Sequence, residues 1–120
     1  MPFHYLLTNL MVDVPGAQGS IFVDPEGESV EFVTRGASPY QLKVEGAYHG
    51  IFLRRAAHLA RVAGGGDLTA IALTGSQMRV MSHRLKSDYF LVLVMDQDSP
   101  LALARVAMER AGEALNREIP

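Results

Sequence analysis

The sequence predicts an α+β fold in which a five-stranded antiparallel sheet is flanked by helices. Segments with helical apolar spacing occupy the start, the middle and the end of the chain. Between them lie runs rich in β-branched and aromatic residues, and short turn signals connect several of these runs as hairpins. Because hairpins produce antiparallel neighbours, the predicted order is α-β-β-α-β-β-β-α, with two long helices available to cover the sheet.

Length and composition favour a single domain over residues 1–120. Hydrophobic residues make up 48% and charged residues 20% of the chain, which is typical of a globular protein. The net charge of −2 provides no basic field for nucleic acid or an anionic membrane, and the lack of cysteine excludes disulfides and thiolate metal sites. The N-terminus has no basic leader and no apolar run is long enough to span a membrane, so we expect a cytoplasmic protein.

The first part of the chain predicts a short helix and a hairpin. Residues 3–12 have helical apolar spacing, and Val14-Pro15-Gly16 ends that segment because proline disfavours helical geometry in the residue before it. Asp24-Pro25-Glu26-Gly27 is a strong turn signal between the strand-like runs 20–23 and 29–33. No Gly-Lys-Ser/Thr follows, and the glycines precede a strand rather than a helix. They therefore indicate turns and not a phosphate-binding loop.

A long central helix is predicted from Ser38 to about Val62. Ser38 and Gln41 have the spacing of a capping box, which satisfies free N–H groups at a helix start. Gly64-Gly65-Gly66 ends the helix, because glycine readily adopts the left-handed conformation of a helix cap.

Mostly small side chains form a stripe along this helix, in spite of a cost of about 1 kcal/mol for each interior glycine relative to alanine. The stripe comprises Gly46, Gly50, Leu53, Ala57, Ala60 and Gly64. Bulky residues on a neighbouring face, Leu59 and Val62 among them, suit the sheet of the same chain. The pattern favours a helix that packs on its own sheet and closely against another helix. The alternative is that the glycines are tolerated or kink the helix.

The second half predicts three strands and a helix. Runs 68–74 and 77–85 are separated by Gly75-Ser76, a type II′ hairpin signal, and residues 88–96 follow. Residues 89–95 are apolar throughout, which predicts a central strand with both faces covered. Ser99-Pro100 has the pattern of a cap and a first helical residue. An apolar stripe of helical period then runs from Leu101 to Ile119.

The sequence contains no recognisable active-site motif. The four histidines are His4, His49, His58 and His83, and their spacings fit no helical metal pair. Asp96 and Asp98 resemble a carboxylate pair, but their place before the last helix favours a role in which negative charge stabilises the helix dipole. There is no cysteine nucleophile and no nucleophile elbow. We therefore expect no enzymatic activity, no metal and no cofactor.

The stretches VPGAQGSIFVDPEGESV and LVLVMDQDSPLALARVAMERAGEAL resemble the Roadblock family. This family groups the Roadblock-type dynein light chains with the bacterial MglB proteins, and the resemblance is closest to the MglB-like members. It implies a Roadblock-like (profilin-like) fold and a homodimer that pairs the central helix and the middle strand of each chain. The resemblance places Gly46, Gly50, Leu53 and Ala57 on the dimerising helix. Where family members often have Asn and Gly at the start of the last helix, this chain has Ser99 and Pro100.

The resemblance also implies a function. Roadblock proteins are mostly non-enzymatic platforms for Ras-like small GTPases, and the MglB type stimulates hydrolysis by its partner without inserting an arginine finger. We therefore expect a homodimeric regulator or scaffold for a small GTPase. The alternatives are a dimeric interaction module in an assembly without a GTPase, a small-ligand sensor, or an unrecognised enzyme.

Overall fold

The computed structural model describes residues 2–35 and 53–120. The elements of the first range are α1 (Pro2–Asp13), β1 (Ala17–Val23) and β2 (Ser29–Thr34). The second range opens with helical residues 53–62, called α2 below. It continues with β3 (Ala70–Thr74), β4 (Met78–Arg84), a short 3-10 turn (Lys86–Asp88), β5 (Phe90–Asp96) and α3 (Leu101–Glu118). The predicted start of the central helix, with its capping box, lies outside the described residues.

The five strands form one sheet in the order β2-β1-β5-β4-β3. All four pairings are antiparallel, so the predicted architecture of the sheet is confirmed. β5 lies in the centre, and residues 91–95 are buried. The continuous apolar run of this strand correctly predicted its central position, because a strand covered on both faces has no polar side to alternate with.

Two apolar clusters cover the two faces of the sheet. On the first face, α1 and α3 pack over the side chains of Leu91 and Leu93. On the second face, Val92 and Val94 pack in a cluster that includes Leu53 of α2. Alternate residues of β5 point to opposite faces of the sheet, so this one strand contributes to both halves of the core.

Two of the predicted turns have the expected geometry. At the end of α1, Gly16 has a φ of 85°, and its carbonyl accepts a hydrogen bond of 2.9 Å from the Asp96 N–H. In the hairpin between β1 and β2, the Asp24 carboxylate accepts hydrogen bonds of 3.0 Å from the N–H groups of Glu26 and Glu28. Gly27 has a φ of 90° in that turn. Only glycine adopts such angles without strain, so both corners depend on it.

The hairpin between β3 and β4 is present, but its turn lies one residue further on than predicted. Thr74 pairs with Arg79, and the Gly75 N–H donates to the Met78 carbonyl at 2.8 Å. Gly75 therefore belongs to the ladder, and its φ is not positive as a type II′ turn would require. The predicted Gly75-Ser76 turn is wrong because the strand pairing continues through Gly75.

The predicted cap of α3 is also wrong. Pro100, and not Ser99, is the residue that precedes the first helical turn, and no side chain caps it. Ser99 is buried, and its Oγ has no hydrogen-bond partner. Its carbonyl instead accepts a 2.7 Å hydrogen bond from Nη1 of Arg79. Oγ of Ser99 lies against the corner at Gly16 and makes no cap hydrogen bond at the helix start.

Candidate protein interaction surface

Within residues 2–35 and 53–120, β3 forms an edge of the sheet and pairs only with β4. Its ladder begins with a 2.9 Å bond from the Arg84 N–H to the Thr69 carbonyl and ends at Gly75. In an antiparallel ladder, alternate residues direct their N–H and C=O groups toward the neighbouring strand. Residues 69, 71, 73 and 75 are therefore bonded to β4. The backbone groups of Ala70, Ala72 and Thr74 point to the open edge.

The open edge is apolar and carries no charge. The strand reads Ala-Ile-Ala-Leu-Thr, and every residue except Ile71 is exposed. Leu73 is 40% exposed although it is a large hydrophobic residue. Natural sheets normally protect an edge with charges, proline or a bulge, because an unprotected edge pairs with another strand. None of these devices occurs within β3.

The other edge of the sheet, β2, differs from β3. The Phe32 N–H donates to Oε1 of Glu31 at 3.0 Å, so a side chain already uses a backbone group of this strand. Nδ1 of His4 lies 3.8 Å from the same carboxylate oxygen. A charged side chain within the strand blunts an edge against pairing. The two edges are therefore unequal, and β3 is the better template for an added strand.

α2 ends where the sequence predicted. The Gly65 N–H donates to the Ala60 carbonyl at 2.7 Å, and the Gly64 N–H donates to the Arg61 carbonyl at 3.0 Å. Gly64 has a φ of 78°. This pair of bonds around a left-handed glycine is the Schellman motif, which satisfies the last carbonyls of a helix.

The predicted small-residue stripe is described only in its second half. Leu53 is 8% exposed and lies in the apolar cluster beneath α2, while Ala57 and Ala60 are half-buried. Gly46 and Gly50 lie outside the described residues. The structure thus brings Leu53 to the sheet of its own chain, and its role in a contact between two copies stays a prediction.

The assignment of Leu59 and Val62 to the face that covers the sheet is wrong. Leu59 is 68% and Val62 is 70% exposed. Because Leu53 is anchored in the core, residues about one and two turns later on the same side also face the sheet, and positions 59 and 62 point away from it. Hydrophobicity alone could not reveal this phase, since both faces of the helix carry apolar residues.

Two adjacent arginines on α2 have different surroundings. Nη1 of Arg54 donates a 2.9 Å hydrogen bond to the carbonyl of Pro25 in the β1–β2 hairpin. Arg55 is exposed. Arg54 therefore bridges two elements of its own chain.

The titratable residues singled out in the sequence do not converge on one site. His58 is exposed, and His49 lies outside the described residues. Oδ1 of Asp96 accepts a 3.0 Å hydrogen bond from Gln18, while Asp98 is exposed. Across residues 2–35 and 53–120, no group of three or more histidine, aspartate or glutamate side chains could hold a metal ion.

His83 has an unusual environment on the face that α3 partly covers. Its Nε2 is buried and has no hydrogen-bond partner. Burial lowers the pKa of His83 from its ordinary value of 6.5, Glu109 acts in the opposite direction, and Arg105 lowers the pKa further. The imidazole is therefore kept neutral near pH 7. Sequence reasoning did not single out this burial, because it depends on how α3 crosses β4.

No model of a known protein family matches the sequence, and no curated protein matches it. In the described part of the chain, no helix is both long enough and apolar enough to cross a membrane.

Solved structures do match the fold. A Roadblock/LC7 domain from Streptomyces avermitilis has a TM-score of 0.86 at 14% identity, over 95% of this chain and 94% of that one. An MglB in a tetrameric arrangement has a TM-score of 0.89 at 20% identity, over 97% and 86% of the two chains. MglB of Myxococcus xanthus has a TM-score of 0.88 at 16% identity, over 98% and 94%. The chain therefore has the Roadblock/LC7 fold, and the resemblance found in its sequence is confirmed at the level of the fold.

Proposed function

We propose that the protein is a non-catalytic homodimer that binds a Ras-like small GTPase in the cytoplasm. Each chain of the dimer is a single domain over residues 1–120. The open edge of β3 carries the first part of this proposal. An antiparallel strand from a second copy can pair with the outward groups of Ala70, Ala72 and Thr74. With Ala72 opposite Ala72 on a two-fold axis, Ala70 of each copy faces Thr74 of the other.

This arrangement satisfies every outward backbone group of β3. Three residue pairs that each exchange two N–H···O bonds use the six donors and six acceptors of the two strands. Pairing makes one continuous ten-stranded sheet from two five-stranded ones. It also covers the uncharged edge of β3, because natural sheets avoid leaving such an edge exposed to solvent.

The exposed residues of α2 support a second contact between the copies. Leu59 and Val62 expose most of their apolar surface, and Leu73 of β3 lies on the same face of the sheet as α2. Burying apolar surface contributes about 25 cal/mol per Å². We propose that two α2 helices pack together above the joined sheet through Leu59 and Val62. Gly46, Gly50, Ala57 and Ala60 stay candidate residues from the sequence, although Ala57 and Ala60 lie on the side of α2 that faces its own sheet.

The GTPase part of the proposal rests on the fold that this chain shares with MglB structures. A paired sheet and a pair of helices offer a partner a broad, preformed surface. If hydrolysis is stimulated, Arg54 is poorly placed to act as a finger, because its guanidinium is held at Pro25 of its own chain. Stimulation would then come from ordering the switch loops of the partner.

A binding experiment tests this function. Each Ras-like GTPase encoded in the same genome is loaded with GDP or with a non-hydrolysable GTP analogue and titrated with the protein. We expect one nucleotide state to bind more tightly, because only a differential affinity can regulate a switch. Equal binding of both states, or no binding to any of these GTPases, would contradict the proposal.

A double variant tests the mechanism separately. With Arg54→Ala and Arg55→Ala combined, we expect turnover of the saturated complex to stay within about tenfold, whereas loss of an arginine finger costs about 10³–10⁵ in rate. Measuring single-turnover hydrolysis at saturating protein separates weaker binding from slower chemistry. A loss in the range of a finger would refute the ordering mechanism.

A further inference from the structure

A cavity of about 240 Å³ lies on the α2 face of the sheet, near the β1–β2 hairpin and the start of β5. Its apolar lining includes Leu53, Leu68 and Phe90, and all three belong to or pack against the cluster beneath α2. Arg54, Arg61 and Arg84 also line it. Arg54 and Arg61 come from α2 and Arg84 comes from β4, so two separate elements bring guanidinium groups to one space.

The charge of this lining is opposite to that of the whole chain. Three arginines and one aspartate, Asp88, line the cavity of a protein of net charge −2. Arg84 is paired with Asp88 and Arg61 with Asp67, so Arg54 carries the unbalanced positive charge. Like charges that line one cavity repel one another, and solvent screens this repulsion in part because Arg54 and Arg61 are exposed. An anion within the cavity would offset that repulsion.

The hydrogen bonds of the three arginines leave donors free for such an anion. Nε and Nη2 of Arg84 both donate to Oδ1 of Asp88, at 3.2 Å and 2.5 Å. Nε of Arg61 donates to Oδ1 of Asp67 at 3.3 Å. Arg54 donates through Nη1 to a backbone carbonyl and has no acidic partner within the described residues. A guanidinium carries five N–H donors in a planar fork that matches a carboxylate or a phosphate, so Arg54 has the most unused capacity.

We propose that this cavity binds a small organic anion, with its carboxylate or phosphate at the guanidinium of Arg54 and its apolar body against Leu53, Leu68 and Phe90. The volume is below the about 300–1,000 Å³ of pockets for drug-sized ligands, which fits a ligand of one ring. All lining residues belong to one copy of the chain. The proposal needs no residue from a second copy, but Ala57 is also a candidate residue of the proposed α2–α2 contact, so titration at concentrations where the protein is monomeric keeps the two proposals apart.

Isothermal titration with three probes tests the proposal on the full chain. Phenyl phosphate has both an anionic group and an apolar ring, inorganic phosphate lacks the ring, and benzyl alcohol lacks the charge. We expect saturable binding of phenyl phosphate that weakens with added salt, and binding of each other probe that is at least about tenfold weaker. No saturable binding of phenyl phosphate would overturn the proposal. Inorganic phosphate that binds as tightly as phenyl phosphate would show that the apolar lining does not contribute to binding. Benzyl alcohol that binds as tightly would show the same for the arginines, and either result would contradict the proposal.

Variants on α2 locate the site. Arg54→Gln should weaken phenyl phosphate binding about tenfold or more, because a hydrogen bond to a charged group is lost. Ala57→Leu should also weaken it, because the larger side chain occupies space that Ala57 leaves open in the cavity. Arg55→Gln is the matched control, since Arg55 is adjacent, exposed and outside the lining.

Thermal melting of each variant confirms that it is folded before titration. Equal losses for Arg54→Gln and Arg55→Gln would show that the anion responds only to general surface charge, and the assigned site would then be wrong. Unchanged binding in both Arg54→Gln and Ala57→Leu would place the anion elsewhere and overturn the assignment in the same way.

Discussion

Two proline substitutions on neighbouring residues of β3 distinguish the outer edge of this strand from its inner ladder. In the proposed dimer, the Ala72 N–H donates to the carbonyl of the partner's Ala72, and the partner's N–H donates back. Ala72→Pro removes both donors, because proline has no N–H. Within one chain the substitution breaks no ladder bond, since Ala72 lies opposite Met81 at a position whose backbone groups face outward. Proline is tolerated at such positions of an edge strand.

The expected increase in the dimer Kd follows from the number of hydrogen bonds that are lost between the two copies. Two backbone hydrogen bonds, each with a net contribution of about 0.5–1.5 kcal/mol, amount to about 1–3 kcal/mol of association free energy. Since 1.4 kcal/mol is a tenfold change in an equilibrium constant, the dimer Kd should rise by about 5- to 150-fold. The steric bulk of the ring at the two-fold axis acts in the same direction.

Leu73→Pro is the matched control. Leu73 faces Val80 at a position where the two strands exchange hydrogen bonds, so proline there removes a bond within the chain. We expect Leu73→Pro to lower the melting temperature, whereas Ala72→Pro should leave it nearly unchanged at protein concentrations where the wild type is monomeric. Sedimentation velocity over a range of concentrations gives the Kd, and circular dichroism gives the melting curve. A wild type that stays monomeric at high concentration, or an Ala72→Pro variant with the wild-type Kd, would refute the proposed pairing.

Three further predictions concern the core and the central helix. The folded pKa of His83 lies below its unfolded value of 6.5, so the unfolded state binds more protons at slightly acidic pH. The free energy of unfolding should therefore fall as the pH drops from about 6.5 through the folded pKa. His83→Gln should flatten the pH dependence of the unfolding free energy in urea titrations. His58→Gln is the control at an exposed position, and an equally flat profile for this variant would contradict the assignment of the pH dependence to His83. Gly16→Ala should destabilise the fold by about 1–3 kcal/mol, because alanine is strained in the left-handed conformation of this residue. A Cβ at this position would also overlap Oγ of Ser99, which adds to the loss. An unchanged melting curve would contradict the described geometry of the turn at Gly16. Gly50→Leu should weaken the dimer much more than Gly50→Ala, because a bulky side chain keeps two helices apart. Equal dimer affinities of the two variants in ultracentrifugation would favour the alternative that the helix merely tolerates Gly50.

Features that depend on neighbouring residues were predicted well. The β1–β2 hairpin follows from Asp24 and Gly27, whose hydrogen bonds and φ angle are complete within five residues. The end of α2 follows from Gly64, because the cap bonds reach back only three to five positions. The apolar stripe of α3 predicted its buried side, where Ala104, Met108 and residues further along the same row are buried.

Features that depend on distant residues were predicted poorly. Ser99 has the residue type of a cap, but its side chain is buried beside the corner at Gly16, 83 positions earlier in the chain. The turn at Gly75 shifted because the pairing of β3 with β4 continues through it. In both cases a local preference worth about 1 kcal/mol was overridden by packing or by the register of the sheet.

Within the two described ranges, the sequence by itself determined which segments become helices and strands, that the sheet is antiparallel, and that β5 lies in its centre. These properties follow from local periodicity, turn chemistry and one uninterrupted apolar run. Only the tertiary structure decided that β3 is an open edge, that Leu59 and Val62 face outward, and that three arginines surround one cavity. Each of these depends on the order of the strands and on the rotation of α2 about its axis. Contacts between residues far apart in the chain determine both the strand order and the rotation of α2, so neither can be predicted from a short stretch of sequence.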